Sequence, residues 1–312
     1  MSLAVALSVA LSALPVQISH RGVRTADGVT VGLVRYSLTA PEPSQKRLLI
    51  VGELGHGRAL WEGLARALAR RGFVVYLAQL RGQGGTIVPG WRLRDWVAHD
   101  LPAVGRALAQ DGAEHVGLIA HGFGGTLALA AVGRELGGIV TRVVALSTPV
   151  EAQVSSRLVA AYLKDGGKFS QLGTDPQGAA LFGLVMGGGP RADQDALARF
   201  RASGVNDLGH VASAELLEWM QRGDLAFADG TTLLGRLKTY DVPTWMVLPL
   251  DDGFAPSEMA APLREVSQAR VTMRALNRAE FVGEDYDHAS MVLGDRAGLD
   301  VWRGAIRFLE GK

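Results

Sequence analysis

His115 to Ala131 reads HVGLIAHGFGGTLALAA, and this stretch decides the fold. Its first part is a short apolar run of the kind buried on both faces of a parallel sheet. Glycines and an alanine follow at Ala120, Gly122, Gly124 and Gly125, and then small apolar residues at helical spacing predict a helix over Gly125 to Arg134. A strand that turns sharply into a helix needs small residues two before and two after the turn, so that backbone can approach backbone. Ala120 and Gly124 fill those positions, and the centre, where such a turn would present a reactive side chain, is Gly122.

Working outward, strand and helix patterns alternate. VQISHRGVRT and VTVGLVRYSL flank Ala26-Asp27-Gly28 and predict a hairpin. RLLIVG and FVVYLAQL predict strands on either side of a helix over Leu60 to Arg70, and Asp95 to Gln110 predicts the helix before the His115 run. RVVALS, VPTWMVLPL and RVTMRAL add three strands, Ser257 to Gln268 a helix and Val301 to Leu309 a closing helix. Such alternation implies a mostly parallel sheet with helices on both faces. Between Pro149 and Tyr240 the β pattern lapses into helical pieces with glycine-rich points at Gly166-Gly167 and Gly187-Gly188-Gly189. One domain follows, with a core of residues 16–150 and 241–312 and a helical cap inserted at 151–240.

Residues 1–15 form an apolar N-terminal segment in which Leu3 to Leu14 has the length of a signal-peptide core. It is too short to span a membrane. No Lys or Arg precedes it and Ser12-Ala13 makes a poor cleavage site, so the expectation is a surface helix and a cytoplasmic protein, exported if residues 1–14 act as a signal. A net charge of +1, with basic residues dispersed, gives no footprint for nucleic acid. The chain has no cysteine, and its seven histidines show no helical His-Glu-x-x-His pairing, so no metal or other cofactor is expected.

The segment AHGFGG resembles the Gly-x-Ser-x-Gly turn of the α/β-hydrolase superfamily, with His121 and Gly125 matching its common flanking residues. TADGVTVGLVRY, QLRGQG, WRLRDWVAHDLPAV, STPV and DYDHASMVLG occur in the order found in the lipase-like and polyhydroxyalkanoate-synthase-like branch. The resemblance implies an α/β-hydrolase fold whose nucleophile position is vacant at Gly122. It places the triad acid at Asp252, four residues before Pro256 in PLDDGFAP, with Asp251 as the alternative, and the histidine at His288 in Tyr286-Asp287-His288. Asp252 could equally begin a turn or cap the following helix. The family's His-Gly pair after the first core strand is replaced by Gly52-Glu53, leaving the backbone N–H groups of Leu54 and Phe123 as the implied oxyanion donors. Glu53 either places a carboxylate beside that hole or points away as a solvated loop residue. His121 is read as a packing or hydrogen-bonding residue.

Acyl transfer needs a nucleophilic side chain beside the histidine, and glycine supplies none. Some members of the superfamily, such as the N-myc downstream-regulated proteins, also lack the nucleophile and are regarded as non-enzymatic. Three readings follow: a pseudo-hydrolase that binds a small apolar or acyl ligand or a partner protein without turnover, a lipase-like esterase inactivated at Gly122, or a His288-Asp252 acid-base pair acting without a covalent step.

Overall fold

Five nearly unbroken apolar runs, each buried on both faces, pair into the middle of one sheet. In the computed structural model, which describes residues 15–38, 45–86, 88–136, 138–153, 157–168, 182–183, 193–250, 252–276, 286–294 and 296–312, these runs are β3 (Arg47–Val51), β4 (Val74–Gln79), β5 (Val116–His121), β6 (Val140–Leu146) and β7 (Thr244–Pro249). The hairpin β1 (Val16–Arg24) and β2 (Thr30–Leu38) adds antiparallel pairing at one edge, and β8 (Val271–Leu276), half-buried, closes the other. Gly28, at φ +86°, supplies the left-handed residue of the hairpin turn. Strand order is β1-β2-β4-β3-β5-β6-β7-β8, parallel from β4 onward. This is the mostly parallel α/β sheet expected from the alternation.

The order reverses at β3. The chain leaves β3 toward β4 through α1 (Glu62–Arg70) and returns to the opposite neighbour β5 through α2 (Leu101–Gln110). Right-handed crossovers therefore place α1 and α2 on opposite faces and open a crevice beyond the C-terminal ends of β3 and β5. Glu53 follows β3 and Gly122 follows β5, so topology alone brings them to the same point.

Three predicted helices differ in detail. The helix after β5, α3 (Gly122–Ala131), starts at the turn itself, three residues earlier than Gly125. Its N-terminal N–H groups are thereby aimed at the crevice. Asp95 to Gln110 is preceded by a helical turn at Leu93–Asp95 and carries a π-helical turn at Trp96–Asp100, which turns Asp100 inward. Ser257 to Gln268 is two single turns, Ser257–Ala260 and Leu263–Val266, because Pro262 lacks the N–H that would continue the first.

Among the described residues the chain between β6 and β7 is helical: α4 (Arg157–Lys164), α5 (Gln194–Ser203), α6 (His210–Arg222) and α7 (Leu233–Leu237). It is tied to the core by polar contacts. Buried Glu215 on α6 accepts the backbone N–H of Leu93 at 2.5 Å and pairs with Arg94. Gly57 N donates to Gly204 O at 2.6 Å and Asn206 N to Gly55 O at 2.8 Å, so the segment after β3 is hydrogen-bonded along its length to the segment before α6. The apolar segment Leu3 to Leu14 and the Gly187-Gly188-Gly189 run lie outside the described residues.

One buried cation holds the hairpin to this frame. Arg81, after β4, is 3% exposed and bonds Asp100 at 2.8 Å and the hairpin's Asp27 at 2.6 Å, while its carbonyl accepts Trp96 Nε1 at 2.9 Å. Asp100 is completely buried, so without the Arg81 side chain its carboxylate keeps only the backbone N–H of residue 81, at 3.0 Å, and no counter-charge at hydrogen-bond distance. Arg81→Met is expected to destabilise the fold by about 3–5 kcal/mol in urea unfolding. Arg81→Lys, which keeps the charge but not the two-pronged geometry, should recover only part of that loss.

Candidate active site

The turn between β5 and α3 brings neighbouring groups close at two glycines. Gly122 sits at φ +59°, a left-handed conformation in which a side chain is strained on the order of 1–2 kcal/mol. At Gly124 an added Cβ would run into the carbonyl of Gly52 and come within 2.9 Å of the Trp96 ring. Their absence of side chains lets the start of α3 close against the segment after β3.

The space this leaves is filled by Glu53. Its side chain is 1% exposed, so the solvated-loop alternative does not hold. Oε1 accepts the N–H groups of Leu54 at 2.5 Å and Gly124 at 3.2 Å, and Oε2 accepts that of Phe123 at 2.9 Å. Three backbone donors and the positive end of α3 thus offset the cost of burying a carboxylate. The Leu54 and Phe123 N–H groups, expected as the oxyanion pair, are both turned on Glu53. A Cβ built on Gly122 would overlap Glu53 Oε2 outright.

Asp252 and His288 meet as the resemblance implied. His288 Nδ1 lies 2.8 Å from Asp252 Oδ2, and both side chains are buried. Asp252 also begins a turn, its Oδ1 accepting the N–H groups of Phe254 at 2.9 Å and Ala255 at 2.8 Å. The one carboxylate thus contacts His288 and holds the turn at the same time. Asp251, the alternative acid, lies outside the described residues. On the other side of the ring, His288 Nε2 is 3.4 Å from Glu53 Oε2, close enough for an ion pair though not aligned as a hydrogen bond.

The imidazole is consequently sandwiched between two carboxylates. Burial by itself would lower the pKa of His288, but Asp252 first and Glu53 second outweigh it and push it up to about 10. Burial by itself would raise Asp252, yet the charge and hydrogen bond of His288 hold it below its ordinary value. Two further histidines pack here. His121 lies 4.3 Å from the His288 ring, centre to centre, with its Nε2 3.1 Å from the His288 carbonyl, and His56 lies 6.0 Å from His288. Burial, reinforced by the neighbouring histidines, holds both well below the usual imidazole value, so they are neutral.

His121 is thus the hydrogen-bonding and packing residue expected, whereas His56 carried no signal in sequence. Ser147 was also missed. It is buried at the end of β6 with φ +41°, unusual for a residue with a side chain. Among the described residues no group of three His, Cys, Asp or Glu side chains is arranged to hold a metal ion. None of the described helices is long and apolar enough to cross a membrane.

The family described as alpha/beta hydrolase fold matches residues 46–273, from the start of β3 into β8. This chain belongs to that α/β-hydrolase family. Solved structures agree on the fold. An esterase from Exiguobacterium antarcticum aligns with a TM-score of 0.68 at 16% identity, over 94% of this chain and 100% of its own. An esterase from a Rhodococcus species aligns with a TM-score of 0.65 at 16% identity, over 94% and 98%. A thermophilic esterase from Thermogutta terrifontis gives 0.62 at 16% identity, over 94% and 99%. No curated protein matches the sequence.

In this α/β hydrolase-fold protein, a histidine with a folded pKa near 10 has a definite linkage to stability. Because that value lies above the unfolded one of about 6.5, its stabilising contribution is complete below pH ~6.5 and drains away as pH rises toward 10. Nitrogen NMR at pH 8 should show both His288 ring nitrogens protonated. The urea midpoint should fall between pH 6.5 and 10, with Glu53→Gln shrinking that fall; a neutral His288 ring at pH 8 would contradict the arrangement.

Proposed function

We propose that this protein is a non-hydrolytic member of the α/β-hydrolase family, which binds a small apolar ligand without turning it over. One observation carries the reading: the Glu53 carboxylate occupies the oxyanion donors and the space that a side chain at position 122 would need. Ester hydrolysis in this fold requires a nucleophile, free donors for the oxyanion and a histidine able to take a proton. Gly122 offers no nucleophile, Glu53 saturates the donors, and His288 is already protonated at neutral pH.

The same facts weigh against the other two readings. An esterase disabled only at Gly122 would keep an open hole, and a His288-Asp252 pair serving as a base would need a neutral imidazole. Glu53 and His288 are each about 1% exposed, which leaves a substrate no approach through the described structure. The helices between β6 and β7 supply the roof, through their bonds to the segment after β3.

Wild-type protein is expected to leave p-nitrophenyl acetate and butyrate untouched above buffer, since loss of the triad nucleophile removes on the order of 10⁶ in turnover. Gly122→Ser should also stay inactive and be less stable, because serine and Glu53 compete for one volume. Vacating the hole as well, in Gly122→Ser with Glu53→Gly, should bring measurable hydrolysis. Turnover by wild type that vanishes in His288→Ala would overturn the proposal, and strong hydrolysis by Gly122→Ser alone would restore the inactivated-esterase reading.

A further inference from the structure

A binding protein whose catalytic crevice is filled by its own side chain needs a ligand site elsewhere. Beside the crevice, between the turn after β4 and the segment entering α6, lies a cavity of about 610 Å³. Its apolar lining comes from Val88, Pro89 and Trp91 on one wall and Val205, Leu208 and Val211 on the other. We propose that this cavity, and not the space above Gly122, is the ligand site, and that it takes a neutral, ring-sized apolar molecule. The proposal rests on the non-hydrolytic binding reading.

Three features carry it. The volume falls within the roughly 300–1,000 Å³ of small-molecule sites, and the lining has the apolar-with-few-polar composition of such sites. The first wall is anchored: Trp91 is 5% exposed and stacked on fully buried Trp96, with ring centres 6.1 Å apart and planes inclined by 14°. Both walls are fastened to the segment after β3. On one, Gln83 Nε2 donates to Glu53 O at 2.9 Å and Gln83 Oε1 accepts the N–H of Leu80 at 3.0 Å. On the other, Asn206 N reaches Gly55 O. A cavity fixed on both sides costs a ligand little ordering.

Charge selects the class of ligand. Among the described lining residues there is no Lys or Arg; Asp207 is the acidic group and His210 the titratable one. A free fatty acid or other carboxylate would enter a lining in which no described residue is Lys or Arg. At the mouth, Val211 is 36% exposed, one of three large apolar side chains so exposed among the described residues, and it marks where the apolar surface reaches solvent.

The neutral fluorophore N-phenylnaphthylamine tests this on the full chain. Its emission should rise saturably with one molecule bound. Val211→Asp and Pro89→Asp, both exposed at the mouth and so compatible with folding, should each weaken binding by about tenfold or more, as burying a charge beside an apolar ligand requires. Leu299→Asp, at an exposed apolar residue outside the cavity lining, should leave binding unchanged. The anionic relative anilinonaphthalene sulfonate should bind about tenfold more weakly than the neutral probe. Absence of saturable binding, unchanged binding in both mouth variants, or equal affinity for the sulfonate overturns the assignment. Ester turnover by wild type with N-phenylnaphthylamine binding intact would sink the non-hydrolytic reading alone, so the two failures are distinguishable.

Discussion

The carboxylate of Glu53, gripped by the N–H groups of Leu54, Phe123 and Gly124, is the interaction around which the centre of this molecule is arranged. Burying an unpaired carboxylate costs several kcal/mol, so the surroundings must answer it on every side. The start of α3 answers with two donors and its dipole, the segment after β3 with a third donor, and His288 with a positive charge. His288 in turn is charged because Asp252 stands behind it, and Asp252 is held by the turn at Phe254 and Ala255. Each group is explained by the one before it.

That chain of dependence extends into the scaffold. The crevice exists because strand order reverses at β3, and its walls stay in place because Arg81 and Glu215 each neutralise or cap groups from separate elements. Both are buried charges whose partners come from distant parts of the chain, an arrangement that fixes relative position more than it adds stability. The segment after β3 is bonded at once to Gln83, Gly204 and Asn206, so the site and the helices between β6 and β7 form one hydrogen-bonded unit. A lateral cavity made from those same segments inherits their rigidity.

Much of this was legible in the sequence, for reasons that can be named. Buried parallel strands announce themselves as short apolar runs, and Ala120, Gly124 and Gly125 mark a close backbone approach whatever occupies position 122. Asp252 and His288 were placed by the family resemblance, which assigns each a loop position and not a contact. What could not be read was side-chain direction. Glu53 in a loop is equally consistent with a solvated residue or a buried one, because local pattern does not say what lies opposite a loop in space. His56 carried no signal for the same reason, since the rings it packs on are about 65 residues and more away in sequence, and Ser147, quoted within STPV, had no role assigned to it. The break at Pro262 was a local signal that the apolar spacing on either side obscured.

Gly122 and Glu53 are best treated as one interaction. The carboxylate can occupy its position only because residue 122 has no Cβ, and Gly122 leaves a void beside buried donors unless something like Glu53 fills it. A serine introduced alone gains backbone strain and a steric clash. A Glu53 removed alone strands three buried N–H groups and leaves His288 with one counter-charge where it had two. Each single change is therefore worse than its own chemistry predicts, and the pair is strongly non-additive, as residues sharing one cavity are. Backbone N–H groups gathered at one point in a buried crevice must find an acceptor, whether water, a ligand or a side chain. In this chain the N–H groups of Leu54, Phe123 and Gly124 are satisfied by Glu53, and that bonding contributes to holding the start of α3 against the segment after β3.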